Sequence, residues 1–376
     1  MKDADDFYKP EIKQNVIIDC IALESASPGS KVKVIQTGFI TSLQNDLPIT
    51  FDSVLKPFYP NELNLLNNAL VIIKKDNTAK IYHQFPLALS VNSKGSVIKG
   101  QAVTEEDIFD IVKLEFKDAT YEVNIESSDK IIFLFRIKWT FGLYFNFSKN
   151  IDLKNLSELL GYWYKRLFYS NLYSFIENKD YFDKLVKDGW FPFIRLIGSN
   201  FNKIITYYEE GKKHDFHIDN LISEFNKDKI QSFTQYWWGK DIFNDKKPIL
   251  EAGISSFLQN NKEGFITCLH TLYPQIEGIM GSDYFKVYDK KPSFTELAGY
   301  IKQKAESKYR TLSSTGFPSE FYKYLNKTVF ESFDLATGKI DLSRHTTSHG
   351  YANANDFNKA KALQAILILD QIYFYL

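Results

Sequence analysis

Arg344 and His349 are separated by four residues in the string Arg344-His345-Thr346-Thr347-Ser348-His349. The arginine is a permanent cation with a planar fork of donors. An imidazole exchanges a proton near neutral pH. Together they can hold a phosphate and move a proton beside it. Gly350 follows at once and removes side-chain bulk next to His349, so that a backbone or ligand can approach. Arginine is scarce in this chain. Arg136, Arg166, Arg195, Arg310 and Arg344 are the whole set, and the remaining basic charge is lysine. An arginine in a candidate site therefore carries more weight than it would in an arginine-rich surface.

The elements that must position this pair are helical. The final segment, 356–374, is apolar on nearly every face through Leu363, Ile366, Leu367, Ile368, Leu369 and Ile372. Such a helix belongs inside a bundle or at an interface. Upstream, helical spacing begins near Asn150. Leu156, Leu159, Leu160, Trp163, Leu167 and Leu172 mark one helix over 153–176. Further helices are expected over 198–210, 217–238, 247–260, 263–280, 293–309 and 318–330. Ser293 and Glu296 have capping-box spacing. Pro274 interrupts the 263–280 segment and is expected to kink it.

Before residue 150 the period is two. Lys31–Ile35, Tyr121–Ile125, the buried run Ile131–Phe135 and the aromatic segment Trp139–Phe147 read as strands. Ser127-Ser128-Asp129-Lys130 reads as a hairpin connection. The expected fold is α+β: an N-terminal β-rich domain, a small sandwich or half-barrel, followed by a C-terminal α-helical bundle. The expected boundaries are a β-rich sensor or substrate-guiding domain over 1–149, a helical connector over 150–245 and a helical domain over 246–376.

Composition limits the function classes. With 376 residues, 44% of them hydrophobic and 16% aromatic, the chain can bury a sizeable core. Its 46 basic and 46 acidic side chains cancel, so there is no whole-chain basic field for gripping nucleic acid, although a local patch suffices for a small site. Cys20 and Cys268 form neither a disulfide framework nor a zinc knuckle. The polar, acidic start Met1-Lys2-Asp3-Ala4-Asp5-Asp6 reads as no signal peptide. Asp370-Gln371 cuts the longest apolar run short of a membrane span. A soluble, cytoplasmic protein with no membrane partner is expected.

Arg344-x4-His349, with a polar residue after the arginine and an apolar helix to follow, resembles the motif of HEPN domains (higher eukaryotes and prokaryotes nucleotide-binding). Leu272-Tyr273-Pro274-Gln275-Ile276-Glu277-Gly278 is similar to a segment that precedes this motif in bacterial proteins of that type. The resemblance covers about 247–376 and leaves out the β-rich part. Many such motifs carry asparagine after the arginine, where this chain has His345. The resemblance implies a metal-independent endoribonuclease that needs no cofactor. In it the ribose 2′-OH attacks the adjacent phosphate and leaves cyclic-phosphate and 5′-OH ends. His349 would be the acid or base, Arg344 would bind the phosphate, and His345 would assist or shape the loop. The implied assembly is a homodimer with a shared cleft. The implied partner is RNA, such as tRNA or phage RNA, and the implied role is anti-phage defence or a toxin held by an antitoxin. The other reading is a non-catalytic HEPN-like module that binds nucleotide or mediates dimerisation, with a β-rich partner-binding domain.

Two residues support the site. Glu277 shares a helical face with His270 and Tyr273, and these could orient Arg344; a purely structural polar cluster is the alternative. Tyr351 completes Arg344-x4-His349-x-Tyr351, which is similar to the form in HEPN toxins whose antitoxin nucleotidylates the tyrosine. A packing role is its plainer reading. His214 and His217 lie three apart, a partial metal-ligand spacing in a lysine-rich, solvated stretch. Trp237-Trp238 and Trp190-Phe191-Pro192-Phe193 read as packing rather than a base-stacking platform. No P-loop, GxGxxG, nucleophile elbow, CxxC pair or HExxH is present.

Overall fold

The computed structural model describes residues 67–76, 78–83, 85–116, 123–138, 140–210, 218–332 and 342–376, with the backbone of two short strands nearer the start. The chain divides into two compact units, one of residues 1–92 with 111–170 and one of residues 93–110 with 171–376. The β-rich part precedes the helical part, so the fold is α+β.

The first unit is built on an antiparallel sheet. Its strands are β1 (Ile12–Asn15), β2 (Phe39–Thr41), β3 (Asn68–Ile73), β4 (Thr78–His83), β7 (Lys130–Ile137) and β8 (Thr140–Asn146), in the order β1-β4-β3-β7-β8-β2. β3 lies in the interior and pairs on both sides, Val71 facing Ile81 on one and Ile132 on the other. Successive side chains of a strand point to opposite faces. Leu70, Ile72, Ile131, Phe133, Phe135 and Tyr144 therefore gather on one face, where Leu156 and Leu160 of helix α1 (Leu153–Phe168) join them. Ala69, Val71, Ile81, Ile132, Leu134 and Leu143 gather on the other. Burial of both faces explains why β3 and β7 read as continuous apolar runs. β7 turns into β8 at Lys138, which sits at φ +57°. Opposite Phe135 stands Gly142, where a Cβ would meet the Phe135 ring at 2.2 Å. β5 (Ala88–Ser93) and β6 (Ile108–Glu115) pair as a separate two-stranded ladder.

Among the described residues the strands form one six-stranded sheet and one two-stranded ladder. One strand expectation needs correction. Residues 123–126 form no strand, so the turn at Ser127–Ser128 closes no hairpin. There Asp129 is buried, accepting from the Glu126 N–H at 2.7 Å and pairing with Lys74 at 2.8 Å. The turn thus serves a partly buried ion pair between loops. The expected strand Lys31–Ile35 lies outside the described residues.

The second unit is helical: α2 (Ser170–Glu177), α3 (Lys179–Lys187), α4 (Ser199–Glu210), α5 (Ile218–Glu224), α6 (Lys227–Thr234), α7 (Asp241–Asn244), α8 (Lys247–Leu258), α9 (Lys262–Tyr288), α10 (Phe294–Lys308), α11 (Pro318–Lys327), α12 (Arg344–His349) and α13 (Lys359–Tyr375). α13 runs through the middle with Leu363, Ile366, Leu367, Leu369 and Ile372 at 0% exposure, as its all-round apolarity requires. Three polar residues of this helix, Gln364, Asp370 and Gln371, are buried, and each has a hydrogen-bond partner; Gln364 Nε2 donates to the Asp188 carbonyl at 3.0 Å. Asp370 accepts from Arg195 Nε at 2.7 Å and from Trp237 Nε1 at 2.8 Å. Gln371 accepts from the Ile194 N–H at 2.9 Å. Arg195 also lies over the rings of Phe233 and Phe374. Trp190, Phe191, Phe193 and Trp237 are buried, so these aromatics are core.

The Ser293–Glu296 capping box is present at the start of α10. α9 runs unbroken through Pro274 for 27 residues, so the proline does not end it. Two expected helices are divided. The 153–176 stretch breaks at Tyr169, and 217–238 becomes α5, α6 and a 3-10 turn. In the second case Asn226 restarts the chain by accepting from the Lys229 N–H at 3.0 Å. α3 and α7 had no periodic signal long enough to announce them.

Candidate functional site

The motif is itself a helix. Ser343 and Thr346 form a reciprocal cap at the start of α12, in which the Ser343 N–H donates to the Thr346 hydroxyl at 2.8 Å. Gly350 ends the helix at φ +75°, a conformation that only glycine adopts without strain. α12 packs against α9. The Arg344 N–H donates to the Val329 carbonyl at 3.0 Å, which ties the helix start to the chain after α11.

This geometry fixes Arg344 from two sides. Its Nη2 lies 2.6 Å from Oε2 of Glu277 on α9, and both side chains are half-buried. Its guanidinium lies over the Phe294 ring, 5.4 Å from the centroid. Arg344 Nε is buried and has no hydrogen-bond partner among the described residues. The Thr347 hydroxyl is likewise buried and has no hydrogen-bond partner among the described residues.

His345 is half-buried and His349 exposed. They stand one helical turn apart with parallel rings, 6.4 Å between centroids and 5° between planes. The edge of His345 meets the Phe294 ring at 4.8 Å, and Phe294 is stacked on Phe330 at 5.2 Å. Burial first, then the Arg344 charge, then His349, pull the His345 pKa below its ordinary value, and Glu277 opposes them.

The other sequence candidates separate. Only Glu277 of its helical face reaches Arg344. Tyr273 is buried in the core, and desolvation pushes its hydroxyl above the ordinary range. His270 is exposed and stacks on Phe357 at 5.3 Å. Tyr351 is 42% exposed, just past the Gly350 turn. Cys268 is buried, and its thiol is pushed up to about 12 by desolvation. His214 and His217 lie outside the described residues, and among those described no three His, Cys, Asp or Glu side chains gather to hold a metal. No described helix is long and apolar enough to cross a membrane.

A cleft of about 590 Å³ lies beside Leu342, lined by Asp183, Lys187, Lys327, Glu331, Asp356 and Lys361 among others. Arg344, His345 and His349 do not line it. Its mixed charges do not make a phosphate-binding surface. Sequence reasoning missed Phe294 and Phe330. Nothing in their local pattern sets them apart in a chain with 32 phenylalanines. The Ser343-x-x-Thr346 spacing was visible and is the signal for α12.

No protein-family model matches the chain, and neither the curated proteins nor the solved structures contain a match to it.

Proposed function

We propose that the protein is a metal-independent endoribonuclease of the HEPN type. The observation that carries the reading is the arrangement of α12. Arg344 at its start is braced by Glu277 and only partly buried, and His349 at its other end is exposed. Arg344 binds the scissile phosphate and stabilises the charge that develops on it. His349 exchanges the proton that the reaction moves. His345 takes the position next to the arginine. Two copies pair so that their motifs share a cleft in a cytoplasmic homodimer. The purified protein in EDTA should cut single-stranded RNA or tRNA to cyclic-phosphate and 5′-OH ends, and Arg344→Ala and His349→Ala should not. Equal cleavage by all three proteins would count against the site.

The biological role we propose is a defence or toxin effector. Strains expressing the wild type or His349→Ala should differ in growth or phage plating, and equal behaviour would remove this role. Nucleotidylation of Tyr351 by an antitoxin is the regulatory form of the same idea. It should appear as one nucleotide of added mass after incubation with a nucleotidyltransferase and ATP.

The engagement of Arg344 by Glu277 and Phe294 favours a second reading, a non-catalytic module that binds nucleotide or mediates dimerisation. Under it, Arg344→Ala would weaken nucleotide binding or the dimer while wild type and variant alike left RNA intact.

A further inference from the structure

A helix brings residues four apart onto one face, so the spacing of His345 and His349 already makes them neighbours. The tertiary structure adds the alignment. Their rings are parallel to within 5° at 6.4 Å, a gap that leaves both within reach of oxygens on one phosphorus when each hydrogen bond spans about 3 Å. The two imidazoles differ in surroundings. His349 is open to solvent, and His345 is half-buried. His345 faces the Arg344 and His349 side chains on its own helix and Glu277 from α9. From α10, its edge meets the ring of Phe294, which is itself stacked on Phe330. Burial and the neighbouring guanidinium both favour its neutral form. A neutral imidazole at working pH is a base. The exposed ring of His349 can exchange protons directly with water between turnovers.

We propose that His345 and His349 are a base–acid pair complete within one chain, positioned by Phe294, and that they act on a ribose phosphodiester held by Arg344. This rests on the endoribonuclease reading above. In the step, the ribose 2′-oxygen gives its proton to the neutral His345 ring and forms a bond to phosphorus. The bond from phosphorus to the 5′-oxygen breaks, and the protonated His349 ring gives its proton to that oxygen. His345 leaves the step protonated and His349 neutral. Exchange of one proton each with water restores both. The substrate must carry a 2′-OH, so DNA is excluded. Phe294 is a positioning residue: one ring supports the guanidinium of Arg344 on its face and sets the edge of His345.

The test is the pH dependence of cleavage of a mixed-sequence single-stranded RNA oligonucleotide in EDTA. The proteins compared are the wild type, His345→Asn, His345→Gln, Phe294→Leu and Phe294→Tyr, with melting temperatures taken alongside. Both His345 variants should cut about 100-fold more slowly, with KM little changed, and should lose the acidic limb of the rate profile while keeping the alkaline one. Phe294→Leu should slow cleavage by up to about 100-fold through misplacement, and Phe294→Tyr should restore most of it. Mixing His345→Asn with His349→Ala should not restore activity. Restoration would mean that acid and base come from different chains, and would overturn the proposal. So would wild-type rates in the His345 variants, or a loss that leaves the acidic limb in place. Each of these leaves the nuclease reading standing. A wild type that cuts no RNA at any pH overturns that reading and this one with it.

Discussion

Glu277 Oε2 stands 2.6 Å from Arg344 Nη2 and thereby joins the middle of α9 to the first residue of α12. The two positions are distant in sequence, 67 residues apart. Both side chains are partly exposed, so solvent screens the pair and its contribution to stability is modest. Its larger effect is geometric, because it fixes the direction of the guanidinium fork.

Glu277→Gln should therefore change stability by less than about 1 kcal/mol while lowering cleavage by more than that change explains. Thermal melts paired with initial rates check it. A fall in rate that tracks the melting temperature alone would make Glu277 a stabilising residue only.

Arg344→Lys keeps the charge and loses the planar fork. It should lower the cleavage rate by about 100-fold, close to the effect of Arg344→Ala, if donors aimed at the phosphate are what matter. Wild-type-like rates for the lysine variant would show that a point charge suffices.

The depressed pKa of His345 has a consequence for stability. A group whose folded pKa lies below its unfolded value, here the ordinary 6.5, binds fewer protons folded than unfolded. Its stabilising contribution is present above that value and is lost as pH falls through the folded pKa. On acidification from neutral pH the wild type should lose more melting temperature than His345→Asn does. Parallel pH dependences in the two proteins would contradict the direction of the shift.

Asp370 accepts from Arg195 and Trp237 inside the helical unit, with 1% of its side chain exposed. Asp370→Ala leaves a buried guanidinium without its counter-charge and should destabilise the protein by about 3–5 kcal/mol. Denaturant unfolding measures this, and a loss below about 1 kcal/mol would mean that water replaces the carboxylate.

Gly350 holds φ +75°, and a Cβ there would meet nothing within 4 Å. Gly350→Ala should destabilise through the backbone alone, by about 1–2 kcal/mol. Because this residue ends α12 beside His349, activity should fall as well. An unchanged melting temperature would show that the turn accepts a side chain without strain.

The helical unit was largely legible in the sequence because its signals are local. Apolar spacing announced α8, α9, α10 and α13, Ser293 and Glu296 announced a cap, and all-round apolarity announced the burial of α13. Where local chemistry was subtler, the reading missed. Asn226 restarts a helix that periodicity alone runs together, and the short α12 reads as a turn until its Ser343–Thr346 cap is seen. The Arg344–His349 spacing was visible in the same way, since it lies within one short segment. What the tertiary structure decided are the long-range meetings. The helical face of α9 offered His270, Tyr273 and Glu277, and packing chose Glu277 for Arg344, buried Tyr273 and left His270 against Phe357. Phe294 gave no sign of its contacts with Arg344 and His345, because an aromatic side chain acquires such a role only when another element is laid against it. Periodicity states which face of an element is apolar. Which partner that face finds depends on how distant segments fill space together, and that relation is carried by the folded chain.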